Sequence, residues 1–489
     1  MAQFFKAKKQ SSSRHQRNAK QEVLEKIDIA VDVIDHQGNG ICLSHKPIVV
    51  IPAAIPGEQY RVQILSKKQK VWHAKILKVL QAHETARVKP FCPYVSDCGG
   101  CSHQAFLADY LIESKQASLE KYLSKVISPA RLKNSVWEDV VKSDINDKRG
   151  ESRNSSNSPE QGQAKESGLY AYRRRARIAI DARNSSDIKV GFRQEKSNKV
   201  VDIPACAVLS TPLQVVYEKL VRLIKALPSA SSIGHITLTQ GSEKAQVCLH
   251  LVKGLDTESV AMLIAAQNEH GSQYMVETKG GKLRNVLALD TDSQNHDLVS
   301  ASNFTISDDP SLKLSVTANN FIQVNQHLNQ KMLELAQAWL APSESDVVVD
   351  LFSGIGNFSL YLAAHCKEVI GVEGVAEMVQ QANANAQLNS IENCRFEHYD
   401  LNNLSFLSSL MIPKGALIIV DPSRAGALEI MKVMSTLKPR KILYVSCNPT
   451  SFARDVDVLP SNYGIVKMRA LDMFPFTKHI EMIALISSQ

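Results

Sequence analysis

The amino-acid sequence predicts an α/β protein whose largest part is a C-terminal Rossmann-like domain, preceded by a small OB-like β-barrel and a central α+β domain. Three observations support this prediction. Short runs rich in β-branched residues, separated by turn residues, fill positions 23–83. Strand-like and helical runs are mixed over 84–300, and from 301 to 489 apolar strand-like runs alternate with helical stretches. This last alternation predicts a parallel sheet with helices on both faces.

The N-terminal segment has a strand pattern interrupted by turns. Five short runs, IDIAVDVI, ICLS, KPIVVIP, QYRVQILS and WHAKILKVL, are broken by HQGNG, AAIPGE and SKKQK. Because these breaks are rich in turn-forming residues, we expect five short strands in a closed or nearly closed barrel. Barrels of this kind often bind nucleic acid, although a fold alone does not establish a function.

Positive charge is distributed unevenly along the 489 residues, whose net charge is +8. The first 20 residues hold six Lys or Arg and no acid, and RRRAR occupies 173–177. Such clusters suit a polyanion, because each neutralised phosphate releases a counterion. We expect a disordered basic arm at 1–22 and a disordered insertion at 142–168, which has almost no large apolar residue.

Composition also bears on location. No run of about 18 apolar residues is present, so no membrane span is predicted. The segment MAQFFKAKKQ lacks the apolar core of a signal peptide, and a cytoplasmic protein is therefore expected. Nine cysteines are too sparse for a disulfide scaffold, so clustered cysteines point to metal binding or catalysis.

A glycine-rich turn follows the first strand of the C-terminal domain, in VVVDLFSGIGNFSL (347–360). The strand ends at Asp350, and Glu373 ends the next strand, where an acid can bind both ribose hydroxyls. An acid at Asp350 suits cationic S-adenosylmethionine better than a dinucleotide, and Ser359 occupies the third glycine position of G-x-G-x-x-G. A third strand ends in Asp400, which favours a ligand site over an ordinary strand–turn–helix corner.

Three cysteines are clustered in FCPYVSDCGGCSHQ, where Cys92, Cys98 and Cys101 have the spacing C-x5-C-x2-C. Sulfurs this close can converge on one metal centre, which we prefer over three buried structural thiols. Cys206 is the next cysteine in the chain and the best candidate for a fourth ligand, with His103 as an alternative. Four thiolates suit zinc or an iron–sulfur cluster, and the spacing leaves that choice open.

A further cysteine, Cys447 in SCNP, ends the strand-like run KILYV. Asp421 ends ALIIV and Glu481 precedes the last strand, so these side chains are expected at the sheet edge that binds the methyl donor. A thiolate that adds to C6 of a pyrimidine makes C5 nucleophilic, and a carboxylate can then remove the C5 proton. A packed strand-end thiol is the alternative interpretation of Cys447.

From about residue 24 to its end, the chain resembles the bacterial 23S ribosomal RNA uracil-C5 methyltransferases, relatives of the enzymes that make 5-methyluridine in transfer RNA. The residues that carry this resemblance are a TRAM-like barrel and the motifs CPYVSDCGGCSHQ, YRRRARIA, FIQVNQ, DLFSGIGNFSL, DPSRAG, SCNP and HIEMIAL. The resemblance implies a class I S-adenosylmethionine-dependent domain and methylation of one uracil in 23S ribosomal RNA.

The resemblance also implies roles for single residues. Cys447 would attack uracil C6, and Glu481 would take the C5 proton. A [4Fe–4S] cluster would be held by Cys92, Cys98, Cys101 and Cys206. S-adenosylmethionine would be contacted by Gln323, Phe352, Asn357, Glu373, Asp400 and Asp421, of which Asp421 is also a candidate contact for the uracil. The barrel, the basic arm and RRRAR would grip RNA around a flipped base.

Two departures from the family pattern and two alternatives remain. Ser423 stands where the family usually has a second proline, and the 142–168 insertion is not part of the pattern; we expect activity to survive both. One alternative is a 5-methyluridine methyltransferase of transfer RNA, and the other is a non-catalytic RNA-binding assembly factor. A monomer is expected.

Overall fold

The computed structural model describes residues 25–132, 136–142, 170–278, 283–289, 304–403 and 410–488. The predicted basic arm (1–22) and all but the first residue of the predicted insertion (142–168) lie outside these ranges. The α-helices of the described chain are α1 (Ala108–Val126), α2 (Thr211–Ala226), α3 (Thr257–His270), α4 (Gln326–Leu340), α5 (Asn357–Leu362), α6 (Ala376–Leu388), α7 (Leu428–Lys432), α8 (Met434–Leu437) and α9 (Pro449–Asp457). In the described ranges, no helix is long and apolar enough to cross a membrane.

An N-terminal sheet curls around its own core. Its strands are β1 (Lys26–Ala30), β2 (Val33–Ile34), β3 (Gly40–Cys42), β4 (Ile48–Ile51), β5 (Gln59–Lys67) and β6 (Val71–Gln81), in the order β1-β5-β6-β4-β3-β2. Only two residues separate β1 from β2, so the two ends of this order are adjacent and the sheet wraps around Val49, Ile51 and Val62. The first predicted strand is therefore two strands, and the identification of this barrel as TRAM-like stays a prediction.

A second, mostly antiparallel sheet forms the middle of the chain. Its strands are β7 (Arg175–Asp181), β8 (Lys189–Arg193), β9 (Val200–Asp202), β10 (Ile233–Gln240), β11 (Ala245–Leu251), β12 (Gln273–Glu277) and β13 (Leu283–Asn285). The order is β13-β12-β11-β10-β7-β8-β9, in which β11 and β12 are parallel. Helices α2 and α3 contribute Leu220 and Leu263 to the core of this sheet. Helices and strands are thus mixed here, and the central α+β iron–sulfur domain stays a prediction.

The C-terminal part begins with a hairpin of β14 (Thr305–Asp309) and β15 (Leu312–Ser315). The large sheet follows, with β16 (Val347–Leu351), β17 (Glu368–Glu373), β18 (Cys394–His398), β19 (Leu417–Val420), β20 (Lys441–Ser446), β21 (Tyr463–Leu471) and β22 (Glu481–Ser488). The order is β18-β17-β16-β19-β20-β22-β21, with β18 to β20 parallel and β22 antiparallel to both of its neighbours. The prediction of a parallel sheet is confirmed, but β21 was not predicted.

Both faces of the large sheet are covered, because successive residues of its strands point to opposite sides. Val349 and Ile418 belong to one apolar core, and Val348 and Leu417 belong to another. The near-continuous apolar runs that predicted these strands thus reflect burial on both faces.

The order of the parallel strands fixes where a ligand can bind. From β16 the chain proceeds outward to β17 and β18, and it then returns to β19 on the other side of β16. A crevice opens at such a switch point, outside the carboxyl ends of the strands. Because β22 runs antiparallel, with Met482 opposite Ser446, its first residue Glu481 lies at the same edge.

The segment that begins with α1 packs on the large C-terminal sheet. Ile112, Leu119 and Leu123 of α1 lie in the same core as the strands of the C-terminal sheet. Leu132 and Trp137 form parallel bridges with Ile465 and Met468 of β21, so this segment extends the sheet at its edge. The predicted domain boundaries stay predictions, but the described packing ties residues 108–132 and 136–141 to the C-terminal part.

Candidate active site

Several predicted site residues meet at the carboxyl edge of the large sheet. Asp350 is the penultimate residue of β16, Glu373 ends β17, and Asp421 follows β19. Cys447 follows β20, and Glu481 begins β22 beside it. The sequence placed these residues at one edge, and the strand order brings them there.

The glycine-rich turn between β16 and α5 has unusual backbone geometry. Phe352 has a φ of 73°, which is rare for a bulky side chain, and its N–H donates to the Val372 carbonyl at 2.9 Å. Gly356 has a φ of 94°, and a Cβ there would lie 2.9 Å from the Leu360 side chain. The glycine is therefore required both for the backbone conformation and for the close start of α5.

Glu373 and Asp350 present carboxylates to this turn in different ways. The carboxylate of Glu373 accepts the N–H groups of Gly354 and Val375, each at 3.0 Å, which orients it beside the loop. Asp350 is only 1% exposed, and one of its oxygens accepts the Ser359 hydroxyl at 2.6 Å. Its other oxygen has no hydrogen-bond partner among the described residues.

Leaving this oxygen of Asp350 without a partner costs free energy, because buried polar atoms normally have a hydrogen-bond partner. Burial raises the pKa of Asp350 to about 7, and the nearby charge of Glu373 adds to the shift while Ser359 opposes it. A cationic donor group at this site would supply the missing partner and favour the carboxylate. The residues present therefore fit a ligand such as S-adenosylmethionine, which carries an ammonium and a sulfonium.

Cys447 lies among charged groups that act in opposite directions. Burial raises the pKa of its thiol to about 11; the carboxylates of Glu481 and Asp421 add to the shift, and the guanidinium of Arg424 opposes it. Burial likewise raises the pKa of Glu481 to about 8, with Asp421 adding and Arg424 opposing. These four side chains are thus close enough to influence one another electrostatically.

Arg424 is the member of this group to which the sequence interpretation gave no role. It lies in an exposed turn after β19, and its guanidinium is 3.2 Å from Nδ1 of His479. The signal was present in the sequence, because Arg424 follows Asp421 by three residues in DPSRAG. Its positive charge favours the thiolate form of Cys447, which is the nucleophilic form.

Three other residues that were predicted to contact the ligand form hydrogen bonds within the protein. The amide of Asn357 is paired in both directions with that of Asn329, at 2.9 and 3.0 Å. The carbonyl of Gln323 accepts from Nε of Arg174 at 2.8 Å. Asp400 lies exposed beyond β18 and accepts the Asn402 N–H at 2.9 Å. The roles of all three toward a ligand stay predictions.

The four predicted cluster ligands line one cavity of about 250 Å³. They are Cys92, Cys98, Cys101 and Cys206. Arg173 and Arg177 also line this cavity and bring positive charge to it. Within the described ranges, no three His, Cys, Asp or Glu side chains are grouped closely enough to hold a single metal ion. The four thiols therefore surround a cavity and do not converge on the position of a single metal ion.

The loop that carries the first three cysteines is fixed by its backbone. The N–H of Gly99 donates to the Arg193 carbonyl at 3.0 Å, and a Cβ on Gly99 would lie 2.9 Å from the Glu195 nitrogen. His103, the alternative fourth ligand, has both ring nitrogens engaged, one with Ser102 at 2.8 Å and one with the Gly38 carbonyl at 3.0 Å. Cys206 is thus the better placed candidate.

The prediction that RRRAR grips RNA does not hold for every arginine of the cluster. Arg174 is 3% exposed and forms a two-point ion pair with Asp308, with one of its two hydrogen bonds at 2.8 Å. Arg175 donates to the carbonyls of Ala318 and Asn320. Arg177, by contrast, is exposed, beside the cysteine cavity. The prediction is wrong for Arg174 and Arg175, because their side chains satisfy buried acceptors inside the protein.

Comparison with known proteins identifies the family. The family model described as tRNA (Uracil-5-)-methyltransferase matches residues 158–489. The chain belongs to this family. Proteins named 23S rRNA (uracil(1939)-C(5))-methyltransferase RlmD from Shewanella frigidimarina and Shewanella halifaxensis are 34% and 36% identical to it, over 487 and 489 residues. A protein of the same name from Vibrio parahaemolyticus is 33% identical over 490 residues, and each match covers 99% of both chains.

A solved structure shows the same fold. The Pyrococcus abyssi tRNA (uracil-54, C5)-methyltransferase in complex with S-adenosyl-L-homocysteine matches with a TM-score of 0.65 and 21% identity, covering 94% of this chain and all of that one. The α/β fold expected for a uracil-5-methyltransferase is thereby confirmed. In this member of the family, the meeting of Cys447, Glu481 and Asp421 at one sheet edge is observed, whereas the roles of these residues stay predictions.

Proposed function

We propose that this protein transfers a methyl group from S-adenosylmethionine to C5 of one uracil in 23S ribosomal RNA. The observation that carries the proposal is the juxtaposition of Cys447, Glu481 and the unsatisfied carboxylate of Asp350 at one sheet edge. A thiol, a base and an acceptor for a cationic donor are the three groups that methylation at C5 requires. The full-length likeness to proteins named for 23S rRNA supports the RNA class.

In the proposed mechanism, the Cys447 sulfur bonds to uracil C6 and the electron pair of the C5=C6 bond becomes available at C5. S-adenosylmethionine supplies the methyl group that C5 then receives. Glu481 accepts the C5 proton, the C5=C6 bond re-forms, and the C6–S bond breaks to release the thiolate. Arg424 favours the thiolate at the beginning and end of this sequence, since its charge opposes the rise in the pKa of Cys447.

The same edge offers contacts for the methyl donor. Asp350 and Glu373 would bind its cationic and ribose groups, and Phe352 would provide an apolar wall in the glycine-rich turn. Gln323, Asn357, Asp400 and Asp421 complete the proposed donor site, and Asp421 is also a candidate for contacting the uracil. Gln323 is supported only by the resemblance of its motif, whereas the others are supported also by their positions at strand ends or in the turn after β16.

A trapped complex tests the nucleophile. RNA that contains 5-fluorouridine has no C5 proton, so the adduct with Cys447 should persist on a denaturing gel in the presence of S-adenosylmethionine. Cys447→Ala should form none, whereas Cys394→Ala, at a partly buried thiol elsewhere in the sheet, should form it normally. An adduct that persists in Cys447→Ala would exclude this nucleophile.

We also propose that Cys92, Cys98, Cys101 and Cys206 hold a [4Fe–4S] cluster. Four thiols around a common cavity suit a cluster that fills space between them, and they suit a single zinc ion less, since zinc needs its sulfurs about 2.3 Å away. The methyl transfer needs no electron, so the cluster would serve structure: it would join the 92–101 loop to Cys206.

Colour and iron content test the cluster. Protein purified without oxygen should be brown and contain about four iron atoms per chain, as the cluster type requires. Cys98→Ser should lose both the colour and the iron, whereas Cys394→Ser should retain them. Colourless protein with one bound zinc would contradict the proposal.

Transfer RNA is a second candidate substrate, because the matching family model and the matching solved structure both carry that name. Methylating 23S ribosomal RNA and transfer RNA separately in vitro, and mapping the methyl group in each, decides between the two. The much higher identity to the proteins named for 23S rRNA favours the ribosomal substrate. A cytoplasmic location and a monomeric state remain part of the proposal.

A further inference from the structure

A buried lysine contacts the loop that leads into Glu481. Lys115 of α1 is 1% exposed, and its Nζ donates to the Thr477 carbonyl at 3.0 Å and to the His479 carbonyl. Lysine is rarely buried unless it is paired, because its charge is costly to remove from water. Here it interrupts the apolar stripe of α1, between the buried Leu111 and Leu119. The proposed chemistry gives this lysine no role.

The loop that Lys115 contacts, residues 472–480, connects β21 to β22 and adopts a conformation that needs support. Phe476 has a φ of 61°, which is strained for a bulky residue. The Phe476 carbonyl accepts the N–H of His103 at 2.9 Å. The Thr477 hydroxyl donates to the Phe474 carbonyl at 2.8 Å and accepts the His479 N–H at 3.2 Å. Such strain persists only where the surroundings fix the backbone.

Charge attraction also links Lys115 to the beginning of this loop. Asp472 is buried, and the charge of Lys115 opposes the rise in its pKa that burial causes. Burial lowers the pKa of Lys115 to about 8, and Asp472 and Asp35 oppose that shift. The ammonium form has three N–H donors, enough for both carbonyls of the loop. Lys115 thus holds the end of the loop through hydrogen bonds and its beginning through charge.

We propose that Lys115 is a positioning residue that orients Glu481 for removal of the C5 proton. The inference rests on the proposed function. In that step the C5–H bond breaks and its proton passes to the Glu481 carboxylate, while the electron pair forms the C5=C6 bond and the C6–S bond to Cys447 breaks. Because Lys115 acts on the loop before Glu481, its loss should slow this step more than the preceding attack by Cys447.

Lys115→Met removes the charge and the donors while keeping the length of the side chain. With ordinary uridine RNA and S-adenosylmethionine, the variant should accumulate a covalent RNA adduct on a denaturing gel, and its turnover should fall about 10- to 100-fold, since a misplaced base loses much of its effect. Glu481→Gln should show the same accumulation. With 5-fluorouridine RNA, Lys115→Met should form the adduct as wild type does, which a general loss of structure would prevent.

Two further variants keep the test decisive. Lys125→Met, an exposed lysine at the end of the same helix, should behave as wild type. Thr477→Val removes the hydroxyl hydrogen bonds within the loop but keeps the backbone carbonyl that accepts from Lys115, and it should also accumulate adduct. If Lys115→Met does not fold, this variant tests whether the loop orients Glu481.

Wild-type turnover in Lys115→Met, or equal loss of adduct with both RNAs, would overturn the inference. When Lys115→Met does not fold, wild-type turnover in Thr477→Val, or equal loss of adduct with both RNAs, would overturn the inference. If wild-type protein forms no adduct with 5-fluorouridine RNA, the proposed function itself fails, which is a separate and recognisable result.

Discussion

Burial raises the pKa of individual carboxyl groups at the sheet edge. Burial raises the pKa of Glu481 to about 8 and those of Asp350 and Asp421 to about 7. Without a bound ligand, these three carboxyl groups therefore keep their protons at pH values at which exposed carboxyl groups have lost them. A bound cation would favour the ionised forms, so the same burial that destabilises the empty site increases the gain from binding a cationic donor.

The raised pKa of Glu481 predicts how stability depends on pH. Its ordinary pKa of 4.5 applies to the unfolded chain, and about 8 applies to the folded one, so the folded state holds the extra proton between these values. Stability from this group is complete below about pH 4.5 and is lost as pH rises toward 8. Glu481→Gln, which cannot ionise, should raise the melting temperature of the ligand-free protein relative to wild type, and by more at pH 9 than at pH 5.

The expected gain at pH 9 is on the order of 1 kcal/mol or more, since each pKa unit corresponds to about 1.4 kcal/mol. Glu344→Gln, in an exposed turn before β16, is the matched control and should shift the melting temperature equally at both pH values. If Glu481→Gln also shifts the melting temperature equally at both pH values, Glu481 is already ionised in the folded protein.

Among the secondary-structure elements, the sequence predicts those whose burial is uniform. Strands β16, β17, β19 and β20 are covered on both faces and appear as continuous apolar runs. Strand β21 was missed because Lys467 and Arg469 interrupt its apolar pattern, and Lys467 is exposed at the sheet edge. Only tertiary pairing with β22 and with the segment around Trp137 determines that this stretch is extended.

The site was predictable to the extent that it follows from strand ends. Cys447 and Asp421 end apolar runs and Glu481 precedes one, so a parallel sheet must bring them to one edge. Lys115 was not found, because a helical run with apolar residues four apart does not show which core its stripe enters. The available signal was a lysine in the middle of such a stripe. Its role became clear only from its partners, two carbonyls that lie 362 and 364 residues away in sequence.

At the scale of the whole molecule, adjacent arginines of one cluster serve different purposes. Arg174 pairs with Asp308 of β14, whose carboxylate also accepts from Asn329 of α4 at 2.6 Å, and Asn329 is paired with Asn357 of α5. This buried network joins the start of the central sheet to the donor-binding part. Arg177 points outward, where it lines the cysteine cavity and contacts His235 at 3.3 Å.

The last prediction separates these two roles. Arg174→Gln leaves Asp308 buried without its cation and should lower the free energy of unfolding by about 3 kcal/mol, measured as a lower melting temperature. Arg177→Gln should leave the melting temperature unchanged but weaken binding to the RNA substrate several-fold, and it should reduce the slope of log affinity against log salt by about one, as the loss of one phosphate contact requires.

Arg183→Gln is the matched control, because this arginine is 89% exposed just after β7 and paired with Asp181. It should change neither quantity, since its charge is already neutralised and it lies outside the cysteine cavity. Equal loss of RNA affinity in Arg177→Gln and Arg183→Gln would show that net charge alone attracts the RNA. Equal loss of stability in Arg174→Gln and Arg177→Gln would show that the cluster acts only as scaffold. Loss of stability in Arg174→Gln alone, together with loss of RNA affinity in Arg177→Gln alone, would show that neighbouring arginines at the start of β7 serve internal packing and RNA binding separately.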